Sequence, residues 1–321
     1  MVKTDFLIAS DKGYYCKYGN FYIDALHAVE HNVVSHAHAD HAREGSRNVY
    51  CTQVTAEIMQ LRYKQKSAKS FYLKSFREAF EINGVRLEFI AAGHILGSAQ
   101  ILMEYEGVRY LYSGDIKLQE DATCESTDFV YADVLITETT FAKKDFVHPN
   151  VNQEILQLQE ADQPFIIGTY VLGKAQRLNY LLDELKPNSK IYVHYDILPY
   201  HKIYERNGIR LGNYEVLDKK NLKHARIGFY LVPPLSYQSY KIRYPYDFAF
   251  ASGWLEKQEP KHRLLLSDHI DWSELLEYIR KVNPKEIWTI HGDGRDLQDY
   301  FKNSSIIVKE IEHERVGRLL H

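Results

Sequence analysis

The stretch Ser35-His36-Ala37-His38-Ala39-Asp40-His41 decides how this chain is read, because three imidazoles and a carboxylate fall within six positions. That density suits metal chemistry and not core packing. The apolar lead-in Val33-Val34 reads as the end of a buried strand, and the small Ala37 and Ala39 let the backbone curl under a cation. Loops at strand ends are where convergent ligands are presented. His36 and His38 point to one side, while Asp40 and His41 are free to turn to another, which suggests two neighbouring ions. Imidazole and carboxylate without thiolate fit Zn²⁺, with Mn²⁺ or Fe next; Mg²⁺ and Ca²⁺ prefer oxygen shells. The plain alternative is a histidine-rich solvated loop.

Three further segments repeat the grammar of an apolar strand that ends in a ligand-type residue. His94 lies in Ala91-Ala92-Gly93-His94-Ile95-Leu96-Gly97-Ser98, just after the strand-like run Val85 to Ile90. Asp115 closes Tyr110-Leu111-Tyr112-Ser113-Gly114-Asp115, and His291 follows Ile287-Trp288-Thr289-Ile290. Alone, each is as well explained by local structure. Together they favour one shared site.

Composition sets the frame. With 321 residues, 45% hydrophobic and 26% charged, the chain has the make-up of an ordinary globular protein with room for two cores. No apolar run approaches the ~20 residues of a membrane span, and the N-terminus lacks the apolar h-region of a signal peptide, so a cytoplasmic protein without membrane attachment is expected. Cys16, Cys51 and Cys124 are widely spaced and form no CxxC pair, so they read as small buried hydrophobes. A net charge of −3 argues against a globally basic nucleic-acid binder. A polyanion must therefore be held locally, by metal ions and by clusters such as Lys143-Lys144, Lys174 with Arg177, and Lys261-His262-Arg263. The 25 tyrosines offer stacking surfaces for unpaired bases, although most belong to the core.

Two grammars divide the chain. The first 140 residues read as short strands joined by tight turns, with hairpin signals at Asn83-Gly84 and Glu106-Gly107 and one helix from Gln53 to about Tyr63 capped by Thr52. From about Phe146 helices and strands alternate: a helix near Asn152 to Glu160, a strand Pro164 to Thr169, a helix Gly173 to Leu185, a strand Lys190 to Val193 and a helix Leu198 to Asn207. Such alternation favours a parallel sheet with its own core. A strand Arg263 to Leu266, a helix Trp272 to Val282 and a strand Glu286 to Ile290 return to the first pattern. Residues 146–262 are accordingly taken as an insert, between 1–145 and 263–321. Within it, Gly168 to Lys174 satisfies GxxxxGK, but Ala175 replaces the magnesium-holding hydroxyl of a nucleotide loop, and Tyr170 and Leu172 crowd it. A better use of this helix start is to meet a backbone phosphate, with Lys174 beside it.

The ordered strings carry a resemblance. His36 to His41, then Ala91 to Gln100, Tyr112 to Asp115, Thr137-Glu138-Thr139, Leu266-Ser267-Asp268-His269 and Ile290-His291-Gly292 resemble the metallo-β-lactamase-fold nucleases of the β-CASP group. The nearest likeness is to the bacterial DNA ligase-associated exonucleases. Supporting strings are Tyr14-Tyr15-Cys16, Phe21-Tyr22-Ile23-Asp24, Leu172-Gly173-Lys174-Ala175-Gln176-Arg177 and Phe250-Ala251-Ser252-Gly253-Trp254. The His-x-His-x-Asp-His string alone marks only a superfamily that includes lactamases, thioesterases and oxidoreductases. The Thr137 to Thr139 and Ser267 to His269 elements narrow it to nucleic-acid hydrolases.

The resemblance implies an α/β protein: the αββα sandwich of the lactamase fold with a compact β-CASP-like α/β insert. It places His36, His38 and His94 on one divalent ion, Asp40, His41 and His291 on another, and Asp115 across both. His269 becomes the acid that protonates the departing sugar oxygen, Glu138 its orienting partner, and Asp24 a hydrogen-bonding support for a ligand. Lys174 and Arg177 are expected to touch the strand. The implied activity is metal-dependent phosphodiester hydrolysis by a DNA exonuclease of DNA repair, using Zn or Mn with Fe possible. A ligase or helicase partner is implied by the resemblance alone. A histidine at position 291 is typical of RNA-processing members, where many eukaryotic DNA-repair members carry valine, so an RNA-processing ribonuclease is the alternative. A small-molecule metallohydrolase would need the same ligands but neither Glu138, His269 nor the insert.

Overall fold

Strand-forming stretches with every second residue apolar, such as Val85, Leu87 and Phe89 alternating with Arg86 and Glu88, bury one face and wet the other. Three sheets result. The computed structural model describes residues 1–144, 146–158, 164–217, 228–244, 246–254, 262–292 and 294–311. The first sheet contains β1 (Ile8–Ser10), β2 (Gly13–Cys16), β3 (Phe21–Ile23), β4 (His31–Val33), β5 (Ser46–Cys51) and β6 (Ala68–Leu73), in that spatial order. It is antiparallel through β3 and parallel from β3 to β6. Helix α1 (Gln53–Tyr63) begins where Thr52 accepts from the Thr55 N–H, and it packs Ala56 and Met59 against Val34, Val49 and Cys51 on the outer face.

The second sheet opens with β7 (Ala79–Ile82), β8 (Val85–Ala91), β9 (Ala99–Tyr105), β10 (Val108–Tyr112) and β11 (Val134–Glu138). Asn83 and Glu106 take the positive φ that tight hairpins require, each followed by a glycine. The two sheets pack face to face through Cys16, Phe21, Ile23 and Val33 on one side and Leu87, Phe89, Ile101, Tyr110, Tyr112 and Ile136 on the other.

After β11 the chain leaves the sandwich. It forms α2 (Val151–Leu156), β12 (Phe165–Gly168), α3 (Lys174–Leu185), β13 (Lys190–Val193), α4 (Leu198–Arg206), β14 (Glu215–Val216), β15 (Gly228–Val232), α5 (Pro234–Arg243) and β16 (Asp247–Phe250). These strands make a wholly parallel third sheet in the order β14-β13-β15-β12-β16. Helices α2 and α3 cover one of its faces and α5 the other, each with its own apolar cluster. The chain then returns as α6 (Trp272–Val282), β17 (Glu286–Ile290), α7 (Arg295–Phe301) and β18 (Ile307–Glu310), completing the second sheet in the order β18-β17-β11-β10-β9-β8-β7. Helix α6 buries Trp272, Leu275, Tyr278, Ile279 and Val282 on the outer face of that sheet.

Two expectations need correction. The segment Arg263 to Leu266 is not a strand: its main chain makes only a one-residue bridge, Leu265 to Ser252. It is tied instead by side chains, since the Glu154 carboxylate accepts from the Leu265 N–H and meets Arg263. The first helix of the insert ends at Leu156, and Glu160 lies outside the described residues, as do Lys261 and Asp293. Among the described residues no helix is long and apolar enough to cross a membrane.

Candidate metal centre and cleft

Parallel and antiparallel strands of both sheets end at one edge, and the loops that follow carry the ligand-type side chains. The loop after β4 brings His36, His38, Asp40 and His41; those after β8 and β10 bring His94 and Asp115; Glu138 ends β11 and His291 follows β17. His291 sits at φ 50°, a left-handed value uncommon for a non-glycine residue, and Asp24 at φ 48°. At Gly292 a Cβ would lie 2.3 Å from Thr139 Oγ1, so only glycine lets the chain turn there.

One half of the site is a tight cage. His38 Nδ1 lies 3.2 Å from His36 Nε2 and 2.9 Å from His94 Nε2, and Asp115 Oδ2 lies 3.6 Å from each of those two Nε2 atoms. The opposite nitrogens settle what these contacts are. His94 Nδ1 is 2.7 Å from the Asp268 carbonyl oxygen and His38 Nε2 is 3.3 Å from that of Leu172. A carbonyl only accepts, so those nitrogens carry the protons. His36 Nδ1 lies 3.0 Å from Ser35 Oγ, which itself donates to Asp24 Oδ2 at 2.6 Å. Three lone pairs therefore face one another across a buried space, which a cation satisfies and a hydrogen bond does not. The spacings bracket the edge of a tetrahedron about a metal with bonds near 2.0–2.1 Å, roughly 3.3 Å. Burial, with the neighbouring rings, drives the His36 and His94 imidazoles far down in pKa, and burial brings His38 to about 4. All three are neutral donors at neutral pH. The donor set thus suits a divalent metal ion.

The other half is open. His41 Nε2 lies 3.4 Å from Asp115 Oδ1 and 3.9 Å from Asp40 Oδ2, and the His41 and His291 ring centres are 5.6 Å apart. The Asp40 side chain is 75% exposed, and His291 is exposed too. Neither belongs to the tight groups found among the described residues. Asp24 stands behind His41, with Oδ2 2.8 Å from Nδ1, and accepts as well from Ser35 N–H and Tyr112 OH. It touches His41 and not the cleft. Although burial works against it, the charges of Asp115 and Asp24 lift His41 to about 10.

Beside the cage, Glu138 and His269 form an ion pair. His269 Nδ1 is 2.9 Å from Glu138 Oε2, and its Nε2 is 3.9 Å from Asp115 Oδ2. Glu138 accepts from the Ile116 N–H and the Thr140 hydroxyl. Asp115, Glu138 and His269 also form a second group of ligand-type atoms within 4.8 Å. With both Glu138 oxygens already accepting, that group is better suited to orient an imidazole than to hold an ion. Burial again opposes the charge, but Glu138 and Asp115 raise His269 to about 9.

His38, His94, Asp115 and His269 floor a cleft of about 610 Å³, lined by Tyr170, Leu172, Tyr200 and Trp254 from the insert and by Phe141 from the sandwich. Lys174 and Arg177 do not contact a strand in the expected way. Lys174 Nζ is 2.7 Å from Asp268 Oδ2, and Arg177 is 1% exposed, bonded to the Ser267 carbonyl and to Gln119. Each cation finds a partner some 90 residues away, which local sequence does not display. His262 and Arg263 are likewise occupied, by Asp247 and Glu154. Arg62, at the end of α1, lines the cleft with a buried Nη1 that has no hydrogen-bond partner. Sequence reading missed it, as it missed Ser35, Tyr112 and the two carbonyls behind the cage; only the basic residue closing α1 gave any signal.

Residues 258–307 match the family described as the Zn-dependent metallo-hydrolase RNA specificity domain. Over 300 residues, 87% of this chain, the sequence is 30% identical to a protein named "Probable DNA ligase" from Opitutus terrae, of which it covers 28%. It is 28% identical over 192 residues to an "RNase J-like protein" of Methanocaldococcus jannaschii, covering 51% of this chain and 46% of that one. A third relative, "Cleavage and polyadenylation specificity factor subunit 3" of Dictyostelium discoideum, is 36% identical over 118 residues, covering 34% of this chain and 15% of the relative. The chain thus spans less than half the length of each. A crystal structure of a protein of unknown function from Enterococcus faecalis V583 shares the fold, with a TM-score of 0.58, 12% identity and coverage of 90% of this chain and 80% of that one. With two packed sheets, outer helices and a parallel-sheet insertion poised over a histidine-rich strand edge, the chain has the metallo-β-lactamase fold with a β-CASP-like insertion and is similar in sequence to the β-CASP nucleases.

Proposed function

We propose that the protein hydrolyses phosphodiester bonds, as a DNA exonuclease acting in DNA repair. The observation that carries this is the position of Asp115, which lies within 4 Å of His36 and His94, of His41, and of His269. One carboxylate joins both halves of a metal site to a protonated imidazole at the floor of one cleft. Two divalent ions, zinc or manganese with iron as a further option, held by His36, His38, His94 and Asp115 and by Asp40, His41, His291 and Asp115, would supply Lewis acidity and lower the pKa of water.

The chain's own groups do the rest. His269 is protonated at neutral pH, its Nδ1–H is held by Glu138, and its Nε2–H is left to face the cleft. As the oxygen of water bonds to phosphorus and the bond from phosphorus to the sugar oxygen breaks, that proton passes to the departing oxygen. Arg62, which lines the cleft with an unpartnered Nη1, receives a phosphate of the strand, the role first expected of Lys174 and Arg177. Phe141 and Trp254, with ring centres 4.6 Å apart, give unpaired bases an apolar surface. In this reading the described residues of 146–262 form the cap over the cleft, and those of 1–145 and 263–321 the two parts of the sandwich.

DNA is favoured because the ligase-named relative aligns over 87% of the chain, insert included, whereas the RNA-named relatives align over 51% and 34%. By the same likeness, association with a ligase is part of the proposal. A ribonuclease is the second reading, supported by the RNA specificity domain matched at residues 258–307. End-labelled single-stranded DNA, duplex DNA and RNA of one sequence, incubated with Mn²⁺ or Zn²⁺ and with chelator, separate the two. Metal-dependent shortening of DNA is expected. Cleavage of RNA alone moves the assignment to the ribonuclease, and cleavage of a thioester or lactam with all three polymers intact removes the nuclease altogether.

A further inference from the structure

Two of the hydrogen bonds that aim the cage come from outside the first 145 residues. His38 is held by the carbonyl of Leu172, on the loop entering α3, and His94 by the carbonyl of Asp268. The Asp268 carboxylate is itself buried, 4% exposed, and is gripped by the first turn of α3: Lys174 Nζ at 2.7 Å and Arg177 Nη1 at 3.5 Å. Both cations also donate to the main chain just before it, Lys174 to the Leu266 carbonyl at 2.9 Å and Arg177 to that of Ser267 at 2.8 Å. The network continues to the other side of the same histidine. Arg177 Nε lies 3.5 Å from Asp121, Asp121 holds Lys117 at 2.5 Å, and Lys117 Nζ donates to the His94 carbonyl at 3.1 Å.

The contact is steric as well as ionic. Ile95 and Leu96 pack with Leu172, Ile203 and Tyr204, and a Cβ on Gly173 would stand 2.3 Å from Ile95 Cγ2. The insert therefore lies directly against the loop that carries His94. Five buried charges are a costly way to fasten two segments, since apolar side chains of similar volume commonly give equal or greater stability. What ions and their directed hydrogen bonds add is fixed orientation.

We propose that Lys174 and Arg177 are positioning residues: by clamping Asp268, and with the Leu172 carbonyl, the insert sets the orientation of His94 and His38, so the metal cage is completed by the cap and not by the sandwich alone. This rests on the cage being a metal site, as argued above. Metal binding then requires the insert to be seated.

The test uses the full chain with zinc or cobalt alone. Lys174→Met combined with Asp268→Asn removes one charge of each sign and leaves no lone buried ion. Zinc affinity is measured by competition with a chromophoric chelator, cobalt coordination by visible absorption, and folding by the melting temperature of the metal-free protein. The expected result is affinity for the tighter ion reduced about tenfold or more, with an altered cobalt spectrum and a metal-free melting temperature close to that of the wild type. A folded double variant with unchanged affinity and spectrum overturns the proposal. If that variant does not fold, Lys174→Arg keeps the charge but replaces a compact ammonium by a planar fork. A shifted cobalt spectrum and weaker zinc binding in it support the clamp, and an unaltered spectrum and affinity overturn it. Wild-type protein that takes up neither ion also overturns it, whereas a wild type that binds zinc but cuts no nucleic acid removes the nuclease reading and leaves the clamp standing.

Discussion

The cage of His36, His38, His94 and Asp115 and the open half of Asp40, His41 and His291 are built from the same residue types by opposite means. In the cage every imidazole has its far nitrogen held, and the rings of His36 and His94 are 1% exposed. In the open half, Asp24 holds His41, while Asp40 and His291 stand at the cleft. Supporting contacts lower the cost of ordering a ligand before it binds. The cage is therefore ordered by the protein itself, whereas the Asp40 and His291 side chains of the open half lack comparable burial.

Asp115 is the one residue common to both, so its loss gives the largest effect. Asp115→Ala should misplace or release both ions and lower turnover by about 10³-fold or more, read as metal content per chain beside strand cleavage. A variant that stays fully loaded and active would show that the halves are joined by something else. His269→Ala sharpens the contrast from the other direction. Both halves should keep their metal while turnover falls by about 10²–10⁴-fold; metal lost with the imidazole would instead make His269 and Glu138 part of an ion site.

The halves should also empty in order. A brief exposure to chelator is expected to leave one tightly held ion per chain, and Asp40→Asn should lower the occupancy of the other position with little effect on the first. Simultaneous release of both ions, followed by metal analysis over time, would make the distinction between the halves one of exposure only.

The cage was legible in the sequence because each of its members follows a strand that announces itself: Val33-Val34 before His36, Val85 to Ile90 before His94, Tyr110 to Tyr112 before Asp115. Helix limits were legible at α1, where the Thr52 cap is local, and the expected span Trp272 to Val282 matches α6. What holds the cage was not. The Leu172 and Asp268 carbonyls belong to main chain that any sequence would supply, and the partners of Lys174 and Arg177 lie some 90 residues distant, so the same lysine and arginine read equally well as a phosphate-binding surface. Arg263 to Leu266 misled for a related reason: an apolar run at the right place reads as a strand, but its main chain bonds to the Glu154 and Lys174 side chains and, through a one-residue bridge, to Ser252.

The smallest effect lies where the His269 loop is anchored, outside either half. Two residues beyond His269, Asp271 caps α6 and Glu274 returns the bond by accepting from the Asp271 N–H at 3.2 Å. Burial, reinforced by the charge of Asp271, raises the Glu274 carboxyl from 4.5 to about 7. The folded chain therefore binds a proton there that the unfolded chain has already released. Glu274's contribution to stability is full below pH 4.5, is lost as pH rises through about 7, and is flat above that. Glu274→Gln keeps an acceptor for the Asp271 N–H but carries no charge. Its melting temperature should match the wild type near pH 4 and exceed it at pH 8, by an amount corresponding to roughly 1–2 kcal/mol once solvent screening of the partly exposed carboxyl is allowed for. Equal pH profiles for the two proteins would mean that Glu274 titrates normally. The loop bearing His269 would then be anchored by the Asp271 cap without strain, and the contrast between the halves would owe nothing to charge at the start of α6.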